Sequence, residues 1–228
     1  MPIHTAMQGV LPILDADCLE QINLINTADI RAWHDQRPTP LPAIATFLGH
    51  SGVSWLQLRC KRPAAQCTDF FAAWMEALRR YSPHLKVIIN DHLALALQLC
   101  ADGIHVGQED TAVAQCRRQL PADKWIGLST HSAAEVQAAN GQPIDYIGFG
   151  PVYPTQTKAD AQAVQGVARL AEMCRLSQHP VVAIGGIHID HLPAIAACGA
   201  SGAAMISGVW QPEKWQQRLQ QAVGQWPR

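Results

Sequence analysis

The sequence is short of charge and has no surplus of either sign. Asp, Glu, Lys and Arg make up 15% of its 228 residues, and the formal net charge is −1. That balance excludes the bulk positive field of a nucleic-acid binder or a polybasic membrane anchor. Any phosphate site must therefore be assembled from local groups. No apolar run approaches the ~18 residues of a membrane-spanning helix. The opening MPIHTAMQGV lacks the basic-then-apolar order of a signal peptide. The cysteines number seven, an odd count, and include no CxxC pair. A disulfide framework is thereby disfavoured, and reduced thiols used as small packing residues are expected. No pair among the ten histidines has the spacing of a zinc motif. No Ser–His–Asp set is readable either, since Ser129 and His131 are near neighbours on one strand end. The expectation is a soluble, cytoplasmic protein with no nucleic-acid or membrane partner; homo-oligomerisation is left open.

What is present is a rhythm. From Ser54 onward, short apolar runs rich in β-branched residues alternate with Ala/Leu-rich stretches of helical spacing. Strands are predicted at Ser54–Leu58, Lys86–Asn90, Gly103–Val106, Trp125–Ser129, Ile144–Phe149, Pro180–Ile184 and Gly202–Ile206. Helices are predicted at Asp69–Tyr81, His92–Cys100, Thr111–Gln119, Ser132–Asn140, Val164–Ser177, Ile189–Cys198 and Glu213–Val223. Runs this continuous suit strands buried on both faces of a parallel sheet. A further strand at Val10–Leu14 and a helix near Pro42–His50 complete eight units. The simplest account is a single (β/α)8 barrel domain spanning 1–228, with an open doubly wound sheet as the alternative. The segment Asp15–Pro42 is atypical and reads as a long first βα loop with a helical turn.

Polar residues collect after the predicted strands and not before them, which is where a barrel of this kind places its active site. Arg59, Lys61 and Lys158 form a basic set suited to a polyanion. Asp91 and Asp110 each lie just beyond a strand, as Mg²⁺ ligands do beside phosphate; alternatively, each caps a helix. Asp102 and Asp145 precede their strands' cores and belong to turns at the opposite face. Ile184-Gly185-Gly186 and Ile206-Ser207-Gly208 read either as a backbone-built anion site or as tight turns only. His105 sits inside a strand as a core histidine, whereas His92 and His131 lie near the site.

The strings QLRCK (57–61), INDH (89–92), DGIHVGQED (102–110), GLSTH (127–131), GFGPVYPTQTK (148–158), AIGGI (183–187) and AAMISG (203–208) together resemble the thiamine-phosphate synthase family. The likeness runs from Val53 to Gly208. It implies an enzyme that joins hydroxymethylpyrimidine pyrophosphate to a thiazole phosphate carboxylate, releasing pyrophosphate and CO₂. It further implies that Gln57, Arg59, Lys61, Asn90, Ser129 and Lys158 hold the pyrimidine pyrophosphate, the stretch including Leu58 and Cys60. Among these, Arg59, Lys61, Ser129 and Lys158 would serve catalysis. Asp91 and Asp110 would hold Mg²⁺; Thr155, Gln156 and Thr157 would meet the thiazole, and Gly186, Ile206 and Ser207 its phosphate. Two positions depart from the family pattern: His92 stands where many members have Arg, and Cys60 where many have Glu. Two rivals stand beside this reading. A thiazole tautomerase of the same superfamily would need a catalytic histidine, with His131 the candidate, and no metal. A non-catalytic phosphate-binding barrel would need only the seventh and eighth loops.

Overall fold

The computed structural model describes residues 7–155 and 163–227. Eight parallel strands close into a barrel in strict sequence order, with β1 paired to β8. The strands are β1 (Gly9–Asp15), β2 (Trp55–Arg59), β3 (Lys86–Asn90), β4 (Gly103–Val106), β5 (Trp125–Thr130), β6 (Tyr146–Phe149), β7 (Val181–Ala183) and β8 (Gly202–Met205). All eight predicted strands are present, and the open-sheet alternative is excluded by closure.

The helices are α1 (Ala16–Gln21), α2 (Thr27–His34), α3 (Leu41–His50), α4 (Ala64–Tyr81), α5 (Leu93–Gln98), α6 (Val113–Gln119), α7 (Ala133–Ala139), α8 (Gly166–Leu176), α9 (Leu192–Ala197) and α10 (Trp215–Gln225). Among these residues, no helix is long and apolar enough to cross a membrane. Where the expectation was a helical turn after β1, there are two helices. Asp15 caps α1 by accepting the Cys18 N–H at 3.0 Å, and Asn26 opens α2 with a reciprocal capping box. Helix α4 starts five residues before the predicted Asp69, because Ala64–Thr68 continues the helix directly from Pro63. The predicted helix at Ile189–Cys198 opens instead as a 3₁₀ turn, Ile189–His191, ahead of Pro193 near the start of α9.

Alternation along each strand divides the apolar residues into two cores. One fills the barrel interior and contains Leu11, Trp55, Ile88, Trp125, Tyr146, Val182 and Ala204. The larger core lies between strands and helices and contains Leu56, Leu58, Ile89, Ile104, Ile147 and Phe149. Two clamps, one around buried Asp102 and one around half-buried Asp145, tie the amino ends of the strands. Asp102 accepts the Val87 N–H at 2.9 Å and bonds Arg79 at 2.8 Å and Lys86 at 3.2 Å. Asp145 accepts the Ile126 N–H at 2.7 Å and bonds Arg117 at 2.6 Å. Both aspartates lie at the face assigned to them from sequence. Burial is the largest single influence on Asp102 and opposes ionisation, but its three contacts, two cations and an amide, together hold it below the usual carboxylate range.

Candidate active site

A pocket of about 600 Å³ opens at the carboxyl ends of the strands. Its volume suits a small-molecule site. Gln57, Arg59 and Lys61 enter from β2 and its loop, and Asn90 and Asp91 from the end of β3. Asp110 follows β4, Ser129 and His131 follow from β5, and Thr155 lies beyond β6. Gly185, Gly186, Ile206 and Ser207 close the far side, while Leu11, Val182 and Ala204 contribute an apolar floor. Gln156, Thr157 and Lys158 lie outside the described residues.

Two residues of the QLRCK stretch point away from this pocket. Leu58 and Cys60 belong to the outer core, because β2 alternates and Gln57 and Arg59 take the inward side. Burial and the neighbouring Cys67 push the Cys60 thiol up to about 12, so it is an inert packing group. His92 also turns outward: its ring meets Phe71 edge-on at 5.5 Å.

The acidic pair is unlike an ordinary capping pair. Helix α5 has His92 at its N-cap and α6 has Ala112, both without side-chain capping bonds. Asp110 instead accepts the Gly107 N–H at 2.7 Å. Asp91 takes a left-handed backbone, φ 64°, a conformation that costs a non-glycine residue and concentrates at functional sites. Its carboxylate bonds Lys61 and accepts Asn90 Nδ2 at 2.6 Å. Burial first, and then the facing Asp110, raise the Asp91 pKa. Asp110 is lowered: burial opposes this, but Asp91, the Gly107 amide and Lys61 act against it. Two carboxylates thus share one small volume, which a hard divalent cation would relieve. Among the described residues no cluster of three or more His, Cys, Asp or Glu is suited to a metal. Any ion there would draw further oxygens from water or substrate, the habit of Mg²⁺ rather than Zn²⁺.

Arg59 pairs with Asp15, whose side chain is 4% exposed. The same Asp15 caps α1, so the atypical first loop orients a pocket guanidinium. Arg62 binds that loop to the second one, through Asp17 at 2.6 Å, Glu20 at 2.5 Å and the Ala16 carbonyl at 3.0 Å. Asp15 and Asp17 were absent from the sequence-derived site, because partners 44 and 45 residues away leave no local signal.

Gly185 and Gly186 both have positive φ, 88° and 64°. A Cβ on Gly186 would lie 2.3 Å from the Pro154 carbonyl oxygen, and one on Gly185 would lie 2.5 Å from Pro151 Cβ. These glycines therefore let the sixth loop pack on the seventh, and their backbone faces the pocket. After β8 the chain makes one helical turn, with Val209 and Trp210 N–H groups donating to the Ile206 carbonyl at 3.0 and 2.9 Å.

A family model described as thiamine monophosphate synthase matches residues 29–209. The chain belongs to that family. A thiamine-phosphate synthase from Levilactobacillus brevis is 51% identical over 161 residues, covering 69% of this chain and 74% of the relative. One from Lactiplantibacillus plantarum is 44% identical over 160 residues, again 69% and 74%. Thiamine phosphate pyrophosphorylase from Pyrococcus furiosus superposes with a TM-score of 0.76 at 24% identity, over 97% of this chain and 96% of that one. That likeness supports the barrel fold alone. The strings that carried the resemblance supply two stretches of the pocket wall, QLRCK and INDH at β2 and β3, AIGGI and AAMISG at β7 and β8.

Proposed function

We propose that the chain is a thiamine-phosphate synthase, a transferase acting on a pyrimidine pyrophosphate and a thiazole phosphate in its carboxylate form. In this reaction the bond from the pyrimidine methylene to the pyrophosphate oxygen breaks, and a bond from that carbon to the thiazole nitrogen forms. Pyrophosphate leaves, and the thiazole carboxylate departs as CO₂. The observation that carries the reading is the division of one pocket into two unlike halves. One half holds Arg59, Lys61, Asp91 and Asp110; the other is lined by Gly185, Gly186, Ile206 and Ser207.

On the charged side Arg59 and Lys61 meet the pyrophosphate, with Gln57, Asn90 and Ser129 supplying neutral hydrogen bonds; the family resemblance assigns a further cation to Lys158, outside the described residues. Asp91 and Asp110 would hold Mg²⁺, which when bound supplies electrostatic stabilisation of the pyrophosphate charge. Asp15 fixes the Arg59 guanidinium in advance, so less reorganisation accompanies bond breaking. On the glycine side, Gly186, Ile206 and Ser207 receive the thiazole phosphate and Thr155 its ring; the family resemblance adds Gln156 and Thr157, outside the described residues, to the ring contacts. The apolar floor limits water around a carbon that develops positive charge. Positioning and electrostatics suffice, with no protein nucleophile. A tautomerase would leave the Asp91–Asp110–Lys61 set without a task, and a simple phosphate sensor would leave the whole charged half unused.

The test is incubation with both substrates and Mg²⁺, followed by assay of thiamine phosphate. Product formed with Mg²⁺ and suppressed by EDTA is expected. No product, or product indifferent to EDTA, overturns the reading.

A further inference from the structure

Beneath Ser129 the barrel floor is built around two omitted side chains. A Cβ on Gly127 would lie 2.2 Å from Tyr146 Cζ and 2.5 Å from His105 Nδ1. A Cβ on Gly148 would lie 3.2 Å from His105 Cε1. Strands β5 and β6 each give up a side chain, and the space seats a histidine and a tyrosine. Trp55 stands edge-on to the Tyr146 ring, centroids 5.4 Å apart at 80°, and fixes its plane.

The seated groups form a chain. The Tyr146 hydroxyl lies 3.0 Å from His105 Nδ1, and His105 Nε2 lies 2.8 Å from Ser129 Oγ. All three residues are buried, at 0%, 7% and 5% exposure, yet His105, Tyr146 and Ser129 all border the pocket. The polarity of the chain follows from the phenol. Its oxygen lone pair is drawn into the ring, so it donates better than it accepts. Burial, and secondarily the charge of Asp145, push its pKa up and keep the proton in place. With a neutral imidazole, Tyr146 O–H donates to Nδ1, and Nε2–H donates to Ser129 Oγ. A serine oxygen that accepts from the imidazole turns its own hydrogen elsewhere, and Ser129 borders the pocket.

We propose that Tyr146 and His105 are positioning residues that hold the Ser129 hydroxyl as a hydrogen-bond donor to the pyrimidine pyrophosphate. The identity of that substrate rests on the function proposed above; the polarity of the relay does not.

Two measurements test it separately. The first is ¹⁵N NMR of histidine-labelled, substrate-free protein, with the His105 signals assigned by their loss in His105→Gln. A proton on Nε2 and a bare Nδ1 are expected; a protonated Nδ1 overturns the relay whatever reaction the enzyme performs. The second is steady-state kinetics of Tyr146→Phe, which keeps the ring and removes the donor. Loss of one oriented hydrogen bond should raise KM for the pyrimidine pyrophosphate roughly 3- to 10-fold, with KM for the thiazole phosphate unchanged. In a Ser129→Ala background the same substitution should have no further effect. Additive losses, or equal effects on both substrates, mean that Tyr146 is only a packing residue. His105→Gln, which keeps an acceptor and a donor, should retain more activity than His105→Leu. Equal loss in both again removes the relay. A wild-type protein that forms no thiamine phosphate overturns the functional reading and the substrate end of this one, while the NMR result still decides the polarity.

Discussion

The two ends of the barrel use the same residue type for opposite purposes. At the amino end Asp102 and Asp145 each meet an arginine and the backbone N–H of an adjoining strand. Opposite charges and amides saturate them. At the carboxyl end Asp91 and Asp110 face one another on the pocket wall, with one lysine bonded to Asp91. That arrangement keeps like charges together and holds Asp91 in a strained backbone. A carboxylate saturated by the fold contributes stability. A carboxylate left over by the fold, at some cost, is available for a ligand.

The sharpest way to break this contrast is to remove one charge from each end. Asp110→Asn keeps the shape of the side chain and an acceptor for the Gly107 N–H, but leaves a weaker ligand for a cation. Turnover should fall roughly 10²- to 10³-fold, the scale of losing one preorganised electrostatic contact. Thermal stability should change little, because the relieved crowding with Asp91 is set against weaker contacts to the Gly107 N–H and Lys61. A stability loss with normal turnover would place Asp110 with the clamps. Asp102→Asn should behave in the opposite way. Breaking a largely buried pair, discounted for the half-exposed Lys86 and the partly exposed Arg79, costs about 1–3 kcal/mol. At roughly 2–4 °C per kcal/mol for a domain of this size, the Tm falls measurably while kcat is retained.

The pH dependence of that second variant carries its own sign. The folded-state pKa of Asp102 lies below its unfolded value. The stabilisation is therefore complete above the unfolded carboxylate value near about 3.9 and is lost as pH falls through the lower folded value. Stability curves of wild type and Asp102→Asn should separate at neutral pH and converge in acid. Curves that stay parallel down to the acid transition would mean that the clamp acts through packing and not through charge.

A smaller effect separates the two halves of the pocket itself. Gly186→Ala must adopt a positive φ and also push against the Pro154 carbonyl. The strain is on the order of 1–3 kcal/mol, and it falls where the sixth and seventh loops meet. KM for the thiazole phosphate should rise more than KM for the pyrimidine pyrophosphate. The reverse order would show that the two subsites have been exchanged.

The barrel was legible because its strands are buried on both faces and read as unbroken apolar runs, which survive without knowledge of their neighbours. The one-sided placement of polar residues was legible for the same reason: strand ends are local. What escaped depends on distant pairing. Arg59 reads as a free cation until Asp15, 44 residues earlier, is seen to hold it. Gly127 and Gly148 carry no side chain to notice, and their purpose exists only in what they make room for. The two helices after β1 were hidden because each is short and defined by its caps, Asp15 and Asn26, more than by periodicity.

Cys60 gives the finest test of the contrast, since height and direction disagree there. It lies at the pocket end, between Arg59 and Lys61, and a motif reading groups it with both. Its side chain nevertheless belongs to the outer core, and its carbonyl accepts the Cys67 thiol at 3.3 Å. If direction decides function, Cys60→Ala removes one buried sulfur and costs on the order of 1 kcal/mol. Both KM values should then stay at wild type, with the loss confined to Tm. A changed KM for the pyrimidine pyrophosphate at unchanged stability would mean that position along the strand outweighs the face a side chain takes. Cys60 would then belong to the site after all.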